Sequence, residues 1–489
     1  MMKTIASDHP TPTGHTISTS GGRIAMRRVV ALGIGGLLAT SIAWADNERS
    51  HEQDRERARG AVFVMTNSTD RIRGNEIVMY HRDKQGDLAL VGSFPTGRLE
   101  MSKPQLGSGP APTSTVFGAP VPATADALGS SNSLILDDKN RCLFAVNAGS
   151  NTVSSFRASR DGLRLVSVVD SRGTLPVSLA QSNNVLYVLN AGNQGNLAGL
   201  RVQGNCHLIP LRGSSTDLSA MTNSFEAPAP GEVLTTPAQV AFTPDGKRLV
   251  LSIKGGPDGN PFPSGRMAVF PVRHAGLLGN PVVTQFSFSE YRGGPFSFIF
   301  ANRRTVIVVH ANSQTIASYA IKSDHTLSLV SGPFDTGTFA PCWLDGNGRF
   351  VYVANFGGIP AAGTAPDGNG MLAGFRIGRD GALEPMGTNV AYPAPGVGHG
   401  NHAIDVRVVG RFLYFLQPRT GMVGRLTVDS QGMLRDMVHF GGLLPGAEPY
   451  AGSNPGIENF STRCFLQDPN DPAYSPECLL GSAQGIAGY

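Results

Sequence analysis

The stretch LYVLNAG at positions 186–192 contains one of seven copies of a short hydrophobic strand that recur along this chain. The copies begin at Phe63 (FVMTN), Leu143 (LFAVN), Leu186 (LYVLN), Leu249 (LVLSI), Val306 (VIVVH), Val351 (VYVAN) and Leu413 (LYFLQ). A second strand follows each copy and ends at Tyr80, Phe156, Leu200, Phe270, Tyr319, Phe375 or Leu426. A turn residue lies six positions beyond six of these ends, at Gly86, Gly162, Gly276, His325, Gly381 and Gly432. Self-similarity on this scale indicates a repeat protein in which each repeat is one supersecondary unit.

The spacing of the copies predicts an all-β fold, a seven-bladed β-propeller. A four-stranded blade needs about 40 to 50 residues, and the intervals here are 80, 43, 63, 57, 45 and 62 residues, so several blades carry insertions, the largest at 98–129. A further short segment precedes most copies and supplies the first strand of a blade, beginning at Ser131, Pro176, Pro237, Pro295, Pro341 or Gly400. The first blade lacks this segment, and we expect residues 455–460 (PGIENF) to supply it. Ring closure by strands from both termini then removes the free sheet edges.

Outside the propeller, predicted over 61–460, the chain divides into an export signal (1–45), a charged linker (46–60) and a carboxy-terminal tail (461–489). Two arginines precede an apolar run at 29–43, and Ala43 and Ala45 match a signal-peptidase site. The run of 15 residues is short for a membrane span, although an uncleaved anchor is the alternative. Met26 heads an ordinary signal peptide, and both the general and the twin-arginine export routes stay open. We therefore expect a periplasmic or secreted protein with no membrane attachment after cleavage.

Charge and cysteine content narrow the classes of partner. Residues 1–45 hold four of the 40 basic and one of the 36 acidic residues, which leaves 36 basic and 35 acidic residues in the remainder. This balance does not favour a nucleic-acid partner, and we expect a monomer. In an oxidising compartment, Cys464 and Cys478 are candidates for a disulfide in the tail. No cluster of histidine and cysteine has metal-ligand spacing, so no metal site is predicted.

Several phrases of the repeat resemble a known family. The stretches at 147–157 (NAGSNTVSSFR), 237–250 (PAQVAFTPDGKRLV) and 373–383 (AGFRIGRDGAL) are similar to the lactonase-family seven-bladed propellers and, more broadly, to YVTN-type repeats. That family includes 6-phosphogluconolactonases and carboxymuconate cyclases, and the resemblance covers about residues 61–460. It implies an enzyme that hydrolyses or isomerises a lactone or a cyclic sugar or carboxylic acid without a redox cofactor.

One departure from the family bears on that activity. The family's enzymes typically open a blade with Pro-Arg-His, whereas this chain has Pro-Val-Ser at Pro176, Pro-Ala-Gln at Pro237, Pro-Phe-Ser at Pro295 and Pro-Cys-Trp at Pro341. No copy keeps both the arginine and the histidine, so whether the protein is an enzyme stays open. The alternative is a noncatalytic periplasmic propeller that binds a small molecule or a protein partner at the channel mouth.

Candidate ligand-binding residues come from aligning the first strands of the blades, which lie nearest the axis. The alignment places six residues at one level of the channel: Ser133, Ser178, Gln239, Ser297, Trp343 and His402. They line a site for a small polar ligand, or they are small and polar because they pack around a wet axis. His399 and His402 are candidate general bases for lactone chemistry, with a purely structural role as the alternative. Cations that could hold an oxyanion or a carboxylate are Arg266, Arg292 and Arg419.

Overall fold

A computed structural model of the chain describes residues 59–67, 74–97, 113–116, 119–122, 128–137, 139, 141–222, 236–255, 265–337, 341–355, 371–391, 403–417, 422–440 and 485–489. Seven antiparallel sheets, each with four main strands, form the predicted seven-bladed β-propeller. In the described part of the chain, no helix has the length and apolar character needed to cross a membrane.

The strands follow the repeat closely. The first blade contains β1 (Gly60–Met65), β2 (Glu76–Arg82) and β3 (Leu88–Pro95), and a separate hairpin of β4 (Thr113–Val116) and β5 (Ala119–Pro122) follows. The second blade contains β6 (Leu134–Asp137), β7 (Cys142–Asn147), β8 (Thr152–Ala158) and β9 (Leu163–Asp170). The third contains β10 (Pro176–Ser182), β11 (Val185–Asn190), β12 (Asn196–Gln203) and β13 (His207–Pro210), with β14 (Thr216–Asp217) added beside β12.

The remaining blades keep the same order from the axis outwards. The fourth contains β15 (Pro237–Phe242), β16 (Arg248–Ile253), β17 (Arg266–Pro271) and β18 (Val282–Gln285). The fifth contains β19 (Pro295–Asn302), β20 (Thr305–His310), β21 (Thr315–Ile321) and β22 (Leu327–Asp335). The sixth contains β23 (Pro341–Gly346), β24 (Phe350–Asn355), β25 (Met371–Ile377) and β26 (Leu383–Ala391). The seventh contains β27 (Val406–Val409), β28 (Phe412–Gln417), β29 (Met422–Val428) and β30 (Leu434–Phe440).

The strand that closes the ring is β31 (Ile486–Gly488), which pairs antiparallel with β1 and occupies the innermost position of the first blade. The prediction that residues 455–460 close the ring is therefore wrong, and those residues lie outside the described part of the chain. Ile486 and Ala487 of this innermost strand are buried. Small and aliphatic side chains suit this position better than the Glu and Asn of the PGIENF segment.

The repeated tyrosine and the repeated turn glycine meet between blades. The hydroxyl of Tyr352 donates a 2.7 Å hydrogen bond to the carbonyl of Gly432 in the following blade. Gly432 has a φ of +85°, which favours glycine. A Cβ there would lie 2.5 Å from the ring of Phe350, the residue that begins β24. The interface between adjacent blades therefore explains why the strand and the turn recur together.

On the opposite face of the ring, the asparagine that ends the second strand of a blade forms a hydrogen bond to the preceding blade. Asn190 donates from Nδ2 to the carbonyl of Ser171 at 3.1 Å, and Asn355 donates to Thr336 at 3.2 Å, each reaching the preceding blade. His310 has this place in the fifth blade and instead stacks edge-on against Phe286 of the fourth, with 5.3 Å between ring centres. We call the face where these second strands end the loop face, and the opposite one the hairpin face.

A disulfide joins the second and third blades. Cys142 begins β7, and Cys206 lies in the turn that leads into β13. Their Cα atoms are 5.4 Å apart, and the bond closes a loop between positions 64 residues apart. Cys464 and Cys478 lie outside the described residues, so their pairing stays a prediction.

Candidate functional site

Residues 128–133 (LGSSNS), just before β6, pass across the axis of the ring, and we call them the axial plug. Ser131 donates its amide to the carbonyl of Ala238 in the fourth blade at 3.1 Å. The carbonyl of Ser130 accepts the indole N–H of Trp343 in the sixth blade at 2.9 Å. The hydroxyl of Ser130 donates to the carbonyl of Val177 in the third blade at 2.8 Å. The plug is thus tied to blades on different sides of the ring.

Further contacts of the plug involve the fourth and fifth blades. The ammonium group of Lys254, which follows β16 at the loop face, donates to the carbonyl of Gly129. The same ammonium lies 4.6 Å from the ring centre of Phe296, and both side chains are buried. The hydroxyl of Ser297 lies 3.4 Å from that of Ser131. These contacts close the axial channel towards the loop face.

Below the plug, the channel forms a cavity of about 290 Å³ that is lined by the inner strands of all seven blades. Pockets for small ligands have volumes of about 300–1,000 Å³, so this one suits a small molecule. Its lining includes Ser131 and Asn132 from the plug. Gln181, Asp345 and Arg407, from the distal ends of inner strands or near them, are partly exposed. The cavity therefore opens at the hairpin face.

Three charged or titratable side chains lie in this cavity: Asp345, Asp405 and Arg407. The Asp345 carboxylate accepts the amide of Val408 at 2.7 Å and lies 3.7 Å from the Arg407 guanidinium. The Arg407 side chain is 43% exposed, whereas its Nε is buried and has no hydrogen-bond partner. The guanidinium is therefore only partly satisfied by the protein and can hold an anionic group of a ligand.

Asp405 lies deeper, where the chain enters β27. Its backbone has a φ of +93°, and its Oδ1 accepts the amide of Val406 at 3.0 Å. Burial raises the pKa of Asp405 to about 8; the amide of Val406 opposes this rise, as does the Arg407 guanidinium, while the nearby Asp345 carboxylate adds to it. The carboxyl group is therefore protonated at neutral pH and titrates just above it, where proton transfer to or from a substrate is efficient.

The residues predicted at one level of the channel divide into two groups. Gln239 and Ser297 line the cavity. The Gln239 amide also makes two 2.8 Å hydrogen bonds to the backbone of Phe298 in the next blade. Ser133, Ser178 and Trp343 are buried and do not line this cavity. Their roles in ligand binding stay predictions, as do those of Gln239 and Ser297.

The predicted cations and histidines lie elsewhere. Arg266 begins β17 and donates to the carbonyl of Met221 at 3.2 Å. Arg292 forms an ion pair with Glu290 and lies 5.7 Å from the ring centre of Phe286, between the fourth and fifth blades. Neither arginine lines the axial cavity. The others, His399, His402 and Arg419, lie outside the described residues, and their roles stay predictions.

Asp345, Asp405 and Arg407 were not among the ligand-binding or catalytic residues predicted from the sequence. The available signal was an acidic residue within or beside an otherwise buried first strand, as in PCWLD at 341–345 and AIDV at 403–406. Buried carboxyl groups are rare without a partner, which makes such positions informative. Across the described residues, no group of three or more histidine, cysteine or acidic side chains is arranged to hold a metal ion.

Comparison with known proteins establishes the class of fold. No model of a known protein family matches the sequence, and no curated protein matches it. Among solved structures, the chain is similar to two candidate 6-phosphogluconolactonases, from Bacteroides uniformis (14% identity, TM-score 0.52) and Bacteroides fragilis (16%, 0.51). The chain is also similar to the periplasmic gluconolactonase of Pseudomonas aeruginosa (16%, 0.50). Each alignment covers 78% of this chain and 94% to 96% of the other.

These similarities confirm the resemblance stated from the sequence at the level of the fold. The chain is a seven-bladed β-propeller of the kind seen in the 6-phosphogluconolactonase-like structures. At 14% to 16% identity the shared property is the architecture, because one fold supports many unrelated activities.

Proposed function

We propose that this protein is an exported lactonase-like enzyme that hydrolyses or isomerises a lactone or a cyclic sugar or carboxylic acid in its axial cavity. The observation that carries the proposal is that Asp405 and Arg407 line the same axial cavity, next to the plug that is tied to several blades. A carboxyl group with a pKa of about 8 can transfer protons near neutral pH. A partly satisfied guanidinium beside it can hold an oxyanion or a carboxylate.

In hydrolysis, Asp405 transfers the proton and Arg407 stabilises the negative charge. The Asp405 carboxylate, formed above its pKa, accepts a proton from water while the water oxygen attacks the lactone carbonyl carbon. The ring C–O bond then breaks, and the ring oxygen takes up that proton and leaves as a hydroxyl. The new carboxylic acid carries the second proton of the water and releases it to solvent. Arg407 stabilises the negative oxygen during attack and then the carboxylate of the hydroxy acid product.

Export is part of the proposal. The apolar run at 29–43 and the small residues before position 46 support it. The disulfide between Cys142 and Cys206 supports it independently, because disulfides persist in oxidising compartments. The similar gluconolactonase of Pseudomonas aeruginosa is described as periplasmic. A phosphorylated cytosolic substrate fits this location poorly, so an unphosphorylated lactone is the better candidate.

A panel of lactones, including D-glucono-1,5-lactone, tests the activity by pH-stat between pH 6 and 9. We expect kcat/KM to rise with pH and to level off above an apparent pKa of about 8. Asp405→Asn should lower it by roughly 100-fold, the usual size of a general-base effect. Asp161→Asn, at an exposed turn of the second blade, is the matched control. Turnover that survives Asp405→Asn unchanged would rule out the proposed role of this residue.

A second function is favoured by one feature of the cavity. Its described lining contains no histidine, and no blade opens with the family's Pro-Arg-His. A noncatalytic propeller that binds a small anion, or a protein partner at the channel mouth, agrees with both observations. Absence of turnover across the whole panel, together with binding of the hydroxy acid product, would favour this function.

A further inference from the structure

The axial plug blocks the channel and also contributes side chains to the lining of the cavity at its inner end. Of its six residues, only Ser131 and Asn132 line the cavity. Ser131 is buried, whereas Asn132 is partly exposed. Among the plug residues, Asn132 is therefore the one whose side chain a ligand at this end of the cavity would meet.

The backbone of Asn132 holds its side chain in this place. Its φ is +63°, a left-handed conformation that asparagine adopts more readily than most residues. Its carbonyl accepts the amide of Leu179 in the third blade at 2.9 Å. Because hydrogen bonds tie the plug to several blades around this position, the backbone that carries the Asn132 side chain is held in place.

The carboxamide of Asn132 retains hydrogen-bonding capacity. Its Nδ2 donates to the carbonyl of Val240 at 3.4 Å, close to the upper limit for a hydrogen bond. An asparagine side chain offers two N–H donors and an acceptor oxygen, so a donor and the oxygen are left for another group. These polar atoms lie at the closed end, while Arg407 lies nearer the open mouth.

We propose that Asn132 is a specificity-determining residue that hydrogen-bonds the hydroxyl-bearing end of a polyhydroxylated acid or its lactone, while Arg407 holds the carboxyl end. The proposal rests on the proposed function for the location of the site. It adds that the ligand enters only from the hairpin face and that its hydroxylated end lies against the plug. A hydrocarbon acid of equal length would leave the carboxamide without a ligand partner.

The experiment compares binding of D-gluconate and hexanoate by isothermal titration calorimetry to the wild type, Asn132→Gly and Asn205→Gly. Glycine tolerates positive φ, so Asn132→Gly removes the carboxamide while the plug backbone is kept. Asn205 has a φ of +57° in an exposed turn near the outer edge of the third blade and is the matched control. Thermal unfolding checks that all three proteins are folded.

We expect Asn132→Gly to bind D-gluconate about tenfold more weakly, the loss of one or two hydrogen bonds. Hexanoate affinity should not change in Asn132→Gly, and Asn205→Gly should match the wild type. Equal gluconate affinity in all three proteins, equal losses for both acids, or no gluconate binding by the wild type would each overturn the inference. The pH-stat assay reports separately on the proposed function. If binding depends on Asn132 but no lactone is turned over, the proposed enzymatic activity is overturned and the role of Asn132 in ligand binding is kept.

Discussion

The hydroxyl of Tyr414 donates a 2.7 Å hydrogen bond to the carbonyl of Gly86, and this contact joins the last blade of the ring to the first. The two residues are 328 positions apart. Gly86 has a φ of +84°, and a Cβ there would lie 2.6 Å from the ring of Phe412, two residues before Tyr414 in β28. The ring is therefore closed both by the pairing of β31 with β1 and by the contact that recurs between other blades.

Tyr414→Phe should weaken this closure. The substitution removes one buried hydrogen bond and leaves the Gly86 carbonyl without that donor, so the free energy of unfolding should fall by about 1–3 kcal/mol. Urea unfolding followed by fluorescence measures the change. Tyr291→Phe, at a tyrosine that is 68% exposed, is the control and should leave stability unchanged. Equal stabilities for the two variants would show that the Tyr414 hydroxyl does not contribute to ring closure.

The sequence was sufficient to predict the blades because their interfaces are themselves repeated. The tyrosine of one copy donates a hydrogen bond to the turn glycine of the next blade, as Tyr187 does to Gly276. The same contact is made by Tyr352 and by Tyr414. A fixed spacing in the sequence thus reports a contact between neighbouring repeats. In the fifth blade His325 replaces the glycine, and it still adopts a left-handed φ of +70°.

The closing strand and the site could not be predicted in the same way. A strand of three residues such as β31 carries too little pattern to be recognised, and it lacks the proline with which β10, β15, β19 and β23 begin. The axial plug begins at the end of the insertion at 98–129, and its hydrogen bonds to Trp343 and Ala238 join residues far apart in the chain. Asp405 becomes informative only through its burial, which depends on packing at the centre of the ring.

The disulfide gives a prediction about stability in a reducing environment. The Cys142→Ala/Cys206→Ala double variant should lose about 4 kcal/mol of unfolding free energy, the value expected for closing a loop of this length in the unfolded chain. Urea unfolding with and without a phosphine reductant measures it. The reductant should destabilise the wild type by about this amount and the double variant, which keeps Cys464 and Cys478, by clearly less. An unchanged wild type in the reductant, with its thiols shown to be reduced, would contradict this role of the bond.

Asp405 should make the protein less stable as the pH rises. Its pKa is about 8 in the folded protein and about 4 in the unfolded chain, so the folded state holds the proton more tightly. The stabilisation this provides is complete below pH 4 and is lost progressively between pH 4 and pH 8. Asp405→Asn stays neutral at both pH values. The unfolding free energy of the variant minus that of the wild type should therefore be larger at pH 8.5 than at pH 4.5. Thermal unfolding at the two pH values checks this, and a difference independent of pH would refute the raised pKa.

Arg407 should control both the rate of lactone hydrolysis and the pH profile. Arg407→Ala removes the guanidinium that lies 3.7 Å from Asp345, so kcat/KM for a lactone that the wild type hydrolyses should fall by about 10- to 100-fold, the value of a charge-assisted hydrogen bond. Because Arg407 lowers the pKa of Asp405, its loss should also move the apparent pKa of kcat/KM above that of the wild type.

The pH-stat assay measures both quantities, and Arg379→Ala, at an exposed turn of the sixth blade, is the matched control. A purely structural role for Arg407 would lower the amount of folded enzyme and leave the apparent pKa where it is. A lowered kcat/KM with an unshifted profile would therefore separate oxyanion stabilisation by Arg407 from its electrostatic effect on Asp405. If neither quantity changes, the axial cavity is not where the lactone binds.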